Sequence, residues 1–179
     1  QRASRRSFRK GPEYNAAVSE VQPTSPDRYA RQVLLPQIGR DGQRRLAAAK
    51  VFLLGCGALG SVIAEQLVRA GVGRLTVADR DIVELSNLQR QVLFDEDDAR
   101  NGKPKAIAAG HRLSRVNSAA HVRPLVADVH SRNIERLLDV GGDGRPDVIL
   151  DGTDNAETRY LLNDLAVKHA IPWVYGACV

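Results

Sequence analysis

Val51-Phe52-Leu53-Leu54 runs directly into Gly55-Cys56-Gly57-Ala58-Leu59-Gly60. No other stretch limits the fold of this chain as tightly. Four apolar residues ended by glycine predict a buried parallel strand. The G-x-G-x-x-G spacing then predicts a tight turn that opens a helix, and only in that context does the pattern carry weight. Gly55 permits the turn, Gly57 lets a backbone approach a phosphate or ribose, and Gly60 lets helix and strand pack closely. The unpaired N–H groups at the helix start suit an anion. Asp79 ends the next strand, 24 residues after Gly55. An acid near that offset accepts hydrogen bonds from ribose hydroxyls. To this point a nicotinamide or flavin dehydrogenase fits as well as any other nucleotide-binding protein.

Strands and helices alternate along the rest of the chain. Helices are predicted over 59–70, 105–116, 133–140 and 155–169, and strands over 74–78, 121–126, 148–150 and 173–175. Ile107, Leu113 and Val116 mark the core side of the second of these helices. The rhythm predicts an α/β, Rossmann-like, doubly wound and mostly parallel sheet with helices on both faces. Upstream, Ser25-Pro26-Asp27 reads as a capped helix start, with that helix ending before Pro36 and a short one following over 41–49. Residues 1–25 read as a disordered basic leader, and 26–179 as a nucleotide-binding domain. Val179 falls immediately after a strand, so the domain is expected to be truncated at its C-terminus.

Charge and composition narrow the function. The net charge is +5, and Arg2, Arg5, Arg6, Arg9 and Lys10 supply all of it, because residues 11–179 balance. The body is therefore not basic, and aromatic residues, which stack bases, make up only 4% of the chain. No nucleic-acid partner is expected. The longest near-apolar stretch, 51–64, is too short to span a bilayer and holds three glycines. The simplest class is a cytoplasmic protein without a membrane partner. Cys56 and Cys178 are too few for a disulfide framework or a cysteine zinc site, and both read as small buried residues.

The stretch Asp79-Arg80-Asp81-Ile82-Val83-Glu84-Leu85-Ser86-Asn87-Leu88-Gln89-Arg90-Gln91 breaks the tie with dehydrogenases. A dinucleotide site needs no such cluster after its acid. Asn87, Arg90 and Lys105 fall near the carboxyl edge of the sheet, where doubly wound folds bind ligands. A guanidinium fork and an ammonium together suit a triphosphate. Asp154, in Asp151-Gly152-Thr153-Asp154-Asn155, falls at the same edge. A carboxylate facing a triphosphate makes sense through Mg²⁺. Taken alone, Asp154 reads better as a helix N-cap, Arg90 as half of a surface ion pair and Lys105 as a solvated helix start.

These residues resemble the ThiF/MoeB-type adenylyltransferases, relatives of the adenylation domain of ubiquitin-activating enzymes. The matching segments are Arg28-Tyr29-Ala30-Arg31-Gln32, the glycine loop, Ala70-Gly71-Val72-Gly73, 79–91, Gly102-Lys103-Pro104-Lys105 and 151–155. The resemblance implies that ATP adenylates the C-terminal Gly-Gly carboxylate of a ubiquitin-like sulfur-carrier protein, releasing pyrophosphate. It implies that Gly55, Gly57, Ala58, Gly60, Asp79, Asp81, Asn87, Arg90, Gln91 and Lys105 bind the nucleotide, with Asp79 on the ribose. Arg31, Arg90, Lys105 and Asp154 are the implied catalytic set, Asp154 holding Mg²⁺ and Arg31 reaching across a homodimer. Ala58 replaces a glycine common in the family. Any structural Zn²⁺ is expected beyond Val179, where many relatives carry two Cys-x-x-Cys pairs. An oxidoreductase binding NAD or FAD and a non-catalytic nucleotide-binding module are the alternatives. The carboxylate nucleophile is already ionised at pH 7, so no general base is required.

Overall fold

A computed structural model describes residues 28–139, 142 and 144–176. Its centre is a five-stranded sheet, parallel throughout, in the order β3-β2-β1-β4-β5. The strands are β1 (Lys50–Leu54), β2 (Arg74–Asp79), β3 (His121–Val126), β4 (Val148–Asp151) and β5 (Trp173–Tyr175). The helices are α1 (Gly39–Ala48), α2 (Ala58–Ala70), α3 (Glu96–Arg100), α4 (Lys105–Val116), α5 (Ile134–Leu138) and α6 (Ala156–His169).

The apolar run of β1 is buried from Val51 to Leu54 because both of its faces are covered. Side chains alternate across a strand. Val51 and Leu53 join Ala64 and Val68 of α2 and Ala109 and Leu113 of α4 in one core. Phe52 and Leu54 join Ile134 and Leu138 of α5 and Leu162 and Leu165 of α6 in the other. Helices therefore cover both faces, as the alternation predicts. On α4 the buried face is small: Ala106, Ala108, Ala109 and Gly110 accompany Leu113, while Ile107 is only half-buried. The reason is β3, whose Pro124 ring would lie 3.3 Å from a Cβ at Gly110.

The N-terminal segment differs from the sequence expectation. Arg28–Arg31 is a turn, followed by a 3₁₀ helix at Gln32–Leu34, where an α-helix was expected. Tertiary hydrogen bonds hold this segment instead. Tyr29 Oη accepts from Asn117 Nδ2 at 2.9 Å, and Gln32 Nε2 donates to Ala70 O at 2.8 Å. Arg28 Nη1 donates to Val116 O at 2.8 Å. The expected start at 25–27, the leader and Cys178 lie outside the described residues. The acidic run 95–98 opens α3, with Asp95 and Asp98 forming a reciprocal capping box. Among the described residues no helix is long and apolar enough to cross a membrane.

Candidate nucleotide-binding cleft

The strand order reverses direction between β1 and β4, and ligands bind at that crevice in open α/β sheets. A cleft of about 870 Å³ opens there. Its floor is the glycine loop. Gly55 has φ +87°, a left-handed conformation that favours glycine, and its N–H donates to Ala78 O at 2.8 Å. A Cβ at Gly60 would lie 1.9 Å from Gly55 O, so the close approach of helix to turn excludes any side chain. Gly60 thus lies under the loop and does not face the cleft. Gly57 differs: a Cβ there would meet only Gln91 Nε2, at 3.9 Å. The space over Gly57 is open, and the first N–H groups of α2 face it without intrahelical partners.

Asp79 is 8% exposed and anchors the loop from below. Its Oδ2 accepts from Cys56 N at 2.6 Å and its Oδ1 from Asp81 N at 2.8 Å. The carboxylate retains lone pairs for a ligand. Cys56 is fully buried within the α2–α4 core, and burial, reinforced by the Asp79 charge, pushes its thiol up to about 12. A neutral, inert thiol follows, in keeping with a space-filling role.

The 79–91 segment wraps one side of the cleft. Ile82 bridges Pro104, and Lys105 N donates to Asp81 O at 2.9 Å, so the segment is stitched to the start of α4. Lys105 is therefore no solvated helix start. Its side chain is 8% exposed and its Nζ lies 2.9 Å from Asp81 Oδ2. Asn87 is buried, and its Oδ1 accepts from Glu84 N at 3.1 Å, leaving Nδ2 with a 3.5 Å contact to Ser86 Oγ. Arg90 is exposed and is steadied by a 3.0 Å bond from Nη1 to Ser86 O. Gln91 is 4% exposed, and its Oε1 has no hydrogen-bond partner.

Asp154 lines the same cleft. The helix cap that it could have formed belongs to its neighbour: Asn155 Oδ1 accepts from Thr158 N at 2.7 Å. Asp154 is exposed and makes no hydrogen bond or ion pair among the described residues. The cleft thus gathers Gly55, Gly57, Ala58, Asp79, Asp81, Asn87, Arg90, Gln91, Lys105 and Asp154. Arg31 stands elsewhere. Its segment is pinned to the far ends of α2 and α4, and α2 alone, at 13 residues, is roughly 20 Å long. The sequence reading missed the Arg80–Asp128 pair at 3.0 Å, which lines the cleft from the ends of β2 and β3. It also missed Arg159, whose only signal is its position one helical turn beyond Asn155.

Residues 29–179 match the ThiF family. The chain belongs to the ThiF family. Over 152 residues this ThiF-family chain is 51% identical to the sulfur carrier protein ThiS adenylyltransferase of Bacillus subtilis (strain 168), covering 85% of this chain and 44% of that protein. It is 45% identical to the sulfur carrier protein adenylyltransferase of Thermus thermophilus, covering 84% of this chain and 53% of that one. It spans about half the length of these curated relatives. Among solved structures, the ATP complex of E. coli tRNA N6-threonylcarbamoyladenosine dehydratase, TcdA, superposes with a TM-score of 0.74 at 26% identity, over 83% of this chain and 58% of that one. E. coli MccB with AMPCPP and MccA superposes with a TM-score of 0.76 at 28% identity, over 87% and 46%. The ThiF-family fold is thus the Rossmann-like parallel sheet seen here.

Proposed function

We propose that the protein uses ATP to adenylate the C-terminal Gly-Gly carboxylate of a ubiquitin-like sulfur-carrier protein. The observation that carries this reading is the cleft itself. It sets a glycine loop, a ribose-type acid, four cations and an unpaired carboxylate around one crevice. The names of the two curated relatives point to the same substrate class. Membership of the ThiF family favours this reading over the oxidoreductase alternative.

In this reading Asp79 accepts from the ribose hydroxyls while holding the loop. The N-terminus of α2, Asn87 Nδ2, Arg90 and Lys105 receive the phosphates. A carboxylate oxygen of the carrier tail bonds to the α-phosphorus, and the bond from that phosphorus to the bridging oxygen breaks. The products are an acyl-adenylate and pyrophosphate. Nucleophile and leaving group are both anionic, so positioned donors that neutralise the developing charge are the main catalytic device.

Asp154 fits a role as Mg²⁺ ligand, because its carboxylate is exposed, unpaired and faces the cleft. One protein carboxylate is enough for an ion that keeps waters and phosphate oxygens as its other ligands. The ion would supply charge neutralisation at the phosphates. Arg31 is proposed to complete the cleft of a second subunit in a homodimer. Its attachment at the far ends of α2 and α4 puts its own cleft out of reach. The site of action is proposed to be the cytoplasm.

Intact-mass analysis of a Gly-Gly-ended carrier tests the reaction. With ATP, Mg²⁺ and the full-length protein, the carrier is expected to gain one adenylyl group. Carriers that remain unmodified throughout would remove the proposal.

A further inference from the structure

Arg159 is a cleft cation that the phosphate-binding group does not use. It sits in the first turn of α6, at the β4–β5 end of the cleft, beside Thr153, Thr158 and Gly176. Its Nε lies 3.4 Å from Oδ2 of Asp151, a carboxylate with no exposed surface. Oδ1 of the same carboxylate accepts from the Thr153 N–H at 2.9 Å and from the Thr153 hydroxyl at 2.7 Å. The guanidinium carbon also lies 4.9 Å from the centre of the Tyr175 ring. Tyr175 in turn stacks on Trp173.

Two contacts therefore fix the plane of Arg159, and neither uses its terminal nitrogens. Among the described residues Nη1 and Nη2 have no acceptor. A guanidinium held this way is preorganised for a planar oxygen acceptor, so little side-chain entropy is lost on binding. Its charge is partly offset by Asp151, which suits one carboxylate or carbonyl better than a polyphosphate. Gly152 and Gly176 line the same end of the cleft, each packed closely on its own neighbours: a Cβ at Gly176 would lie 2.7 Å from Leu59 Cδ2.

We propose that Arg159 receives the incoming carrier tail, donating from Nη1 and Nη2 to its terminal carboxylate or last peptide carbonyl and aiming it at the nucleotide. This rests on the adenylation reading above. Loss of a charge-assisted hydrogen bond in a cleft corresponds to roughly ten- to hundredfold in binding.

The test uses the full-length protein and a ThiS-type carrier with a free Gly-Gly carboxylate, following ATP–pyrophosphate exchange. Arg159→Ala is expected to raise the carrier KM by that factor and leave AMPCPP affinity within about twofold. Arg159→Lys, which keeps the charge but loses the fork, is expected to fall between. Calorimetric binding of the carrier and of its C-terminal amide adds a readout independent of turnover. The wild type is expected to prefer the free acid, and the alanine variant is expected to lose that preference. An unchanged carrier KM in either variant would overturn the assignment, as would an equal loss of AMPCPP affinity. A wild type that exchanges with no carrier would instead reject the adenylation reading itself.

Discussion

Lys105 Nζ lies 2.9 Å from Asp81 Oδ2, with the lysine side chain 8% exposed and the aspartate 55% exposed. The cation is held at the cleft by a partner on its solvent side, so an arriving polyphosphate can take over the contact without moving the lysine far. Lys105→Ala is expected to lower ATP–pyrophosphate exchange by roughly 10²- to 10³-fold, the usual cost of a donor lost from a developing charge. Steady-state exchange at saturating ATP checks this. Wild-type turnover in the variant would remove Lys105 from the reaction.

Gly60→Ala tests the floor of the cleft. The new Cβ would press on Gly55 O, a backbone atom that cannot swing aside. Overpacking of this kind typically costs about 1–3 kcal/mol, and more where backbone must move. Urea unfolding is expected to show a loss at or above that range, with weakened nucleotide binding. Ala58→Gly is the control, because Ala58 is exposed at the first position of α2. Its cost is expected to stay within about 1 kcal/mol.

Much of this fold is legible in the sequence. The apolar run 51–54 and the glycines after it admit few structures, and β3, α4 and β5 begin and end where the pattern predicts. The N-terminal segment departs from the helix that local signals favour, because Tyr29 and Gln32 are held by residues 88 and 38 positions away. In the cleft, the residues of 79–91 carried a recognisable motif. Arg159 did not stand out, because its meaning depends on Asp151 and Tyr175, which the sheet brings beside it through the β4–β5 pairing.

Tyr29→Phe probes the N-terminal anchor. The hydroxyl binds Asn117 Nδ2, which also donates to Val68 O at 3.0 Å, and Asn117 is 1% exposed. Losing one such bond is expected to cost about 1 kcal/mol in thermal or urea unfolding. If the Arg31 segment serves a partner's cleft, exchange activity falls as well while ATP affinity of the monomer is unchanged. A variant with wild-type stability would show that the bond is not formed in solution.

Cys56 gives a pH signature. Its folded thiol is raised to about 12, chiefly by burial, whereas an unfolded thiol ionises near 8.5. With the folded value above the unfolded one, the stabilising difference is complete below about pH 8.5 and is lost as pH climbs toward the folded value. Stability is expected to fall more steeply above pH 8.5 in the wild type than in Cys56→Ala. At pH 8, iodoacetamide is expected to label the Cys56 peptide only after denaturation, read by peptide mass spectrometry. Rapid labelling of the native protein would contradict the buried placement.

One cleft is proposed to join ATP to a carrier carboxylate, with Asp154 holding the metal. Magnesium-dependent ATP–pyrophosphate exchange, run with the full-length wild type and with Asp154→Ala, examines both parts at once. Exchange is expected to require both Mg²⁺ and a Gly-Gly-ended carrier, and to fall by at least about 10²-fold in the variant. Exchange at the wild-type rate in Asp154→Ala, or none in the wild type with any such carrier, would contradict it.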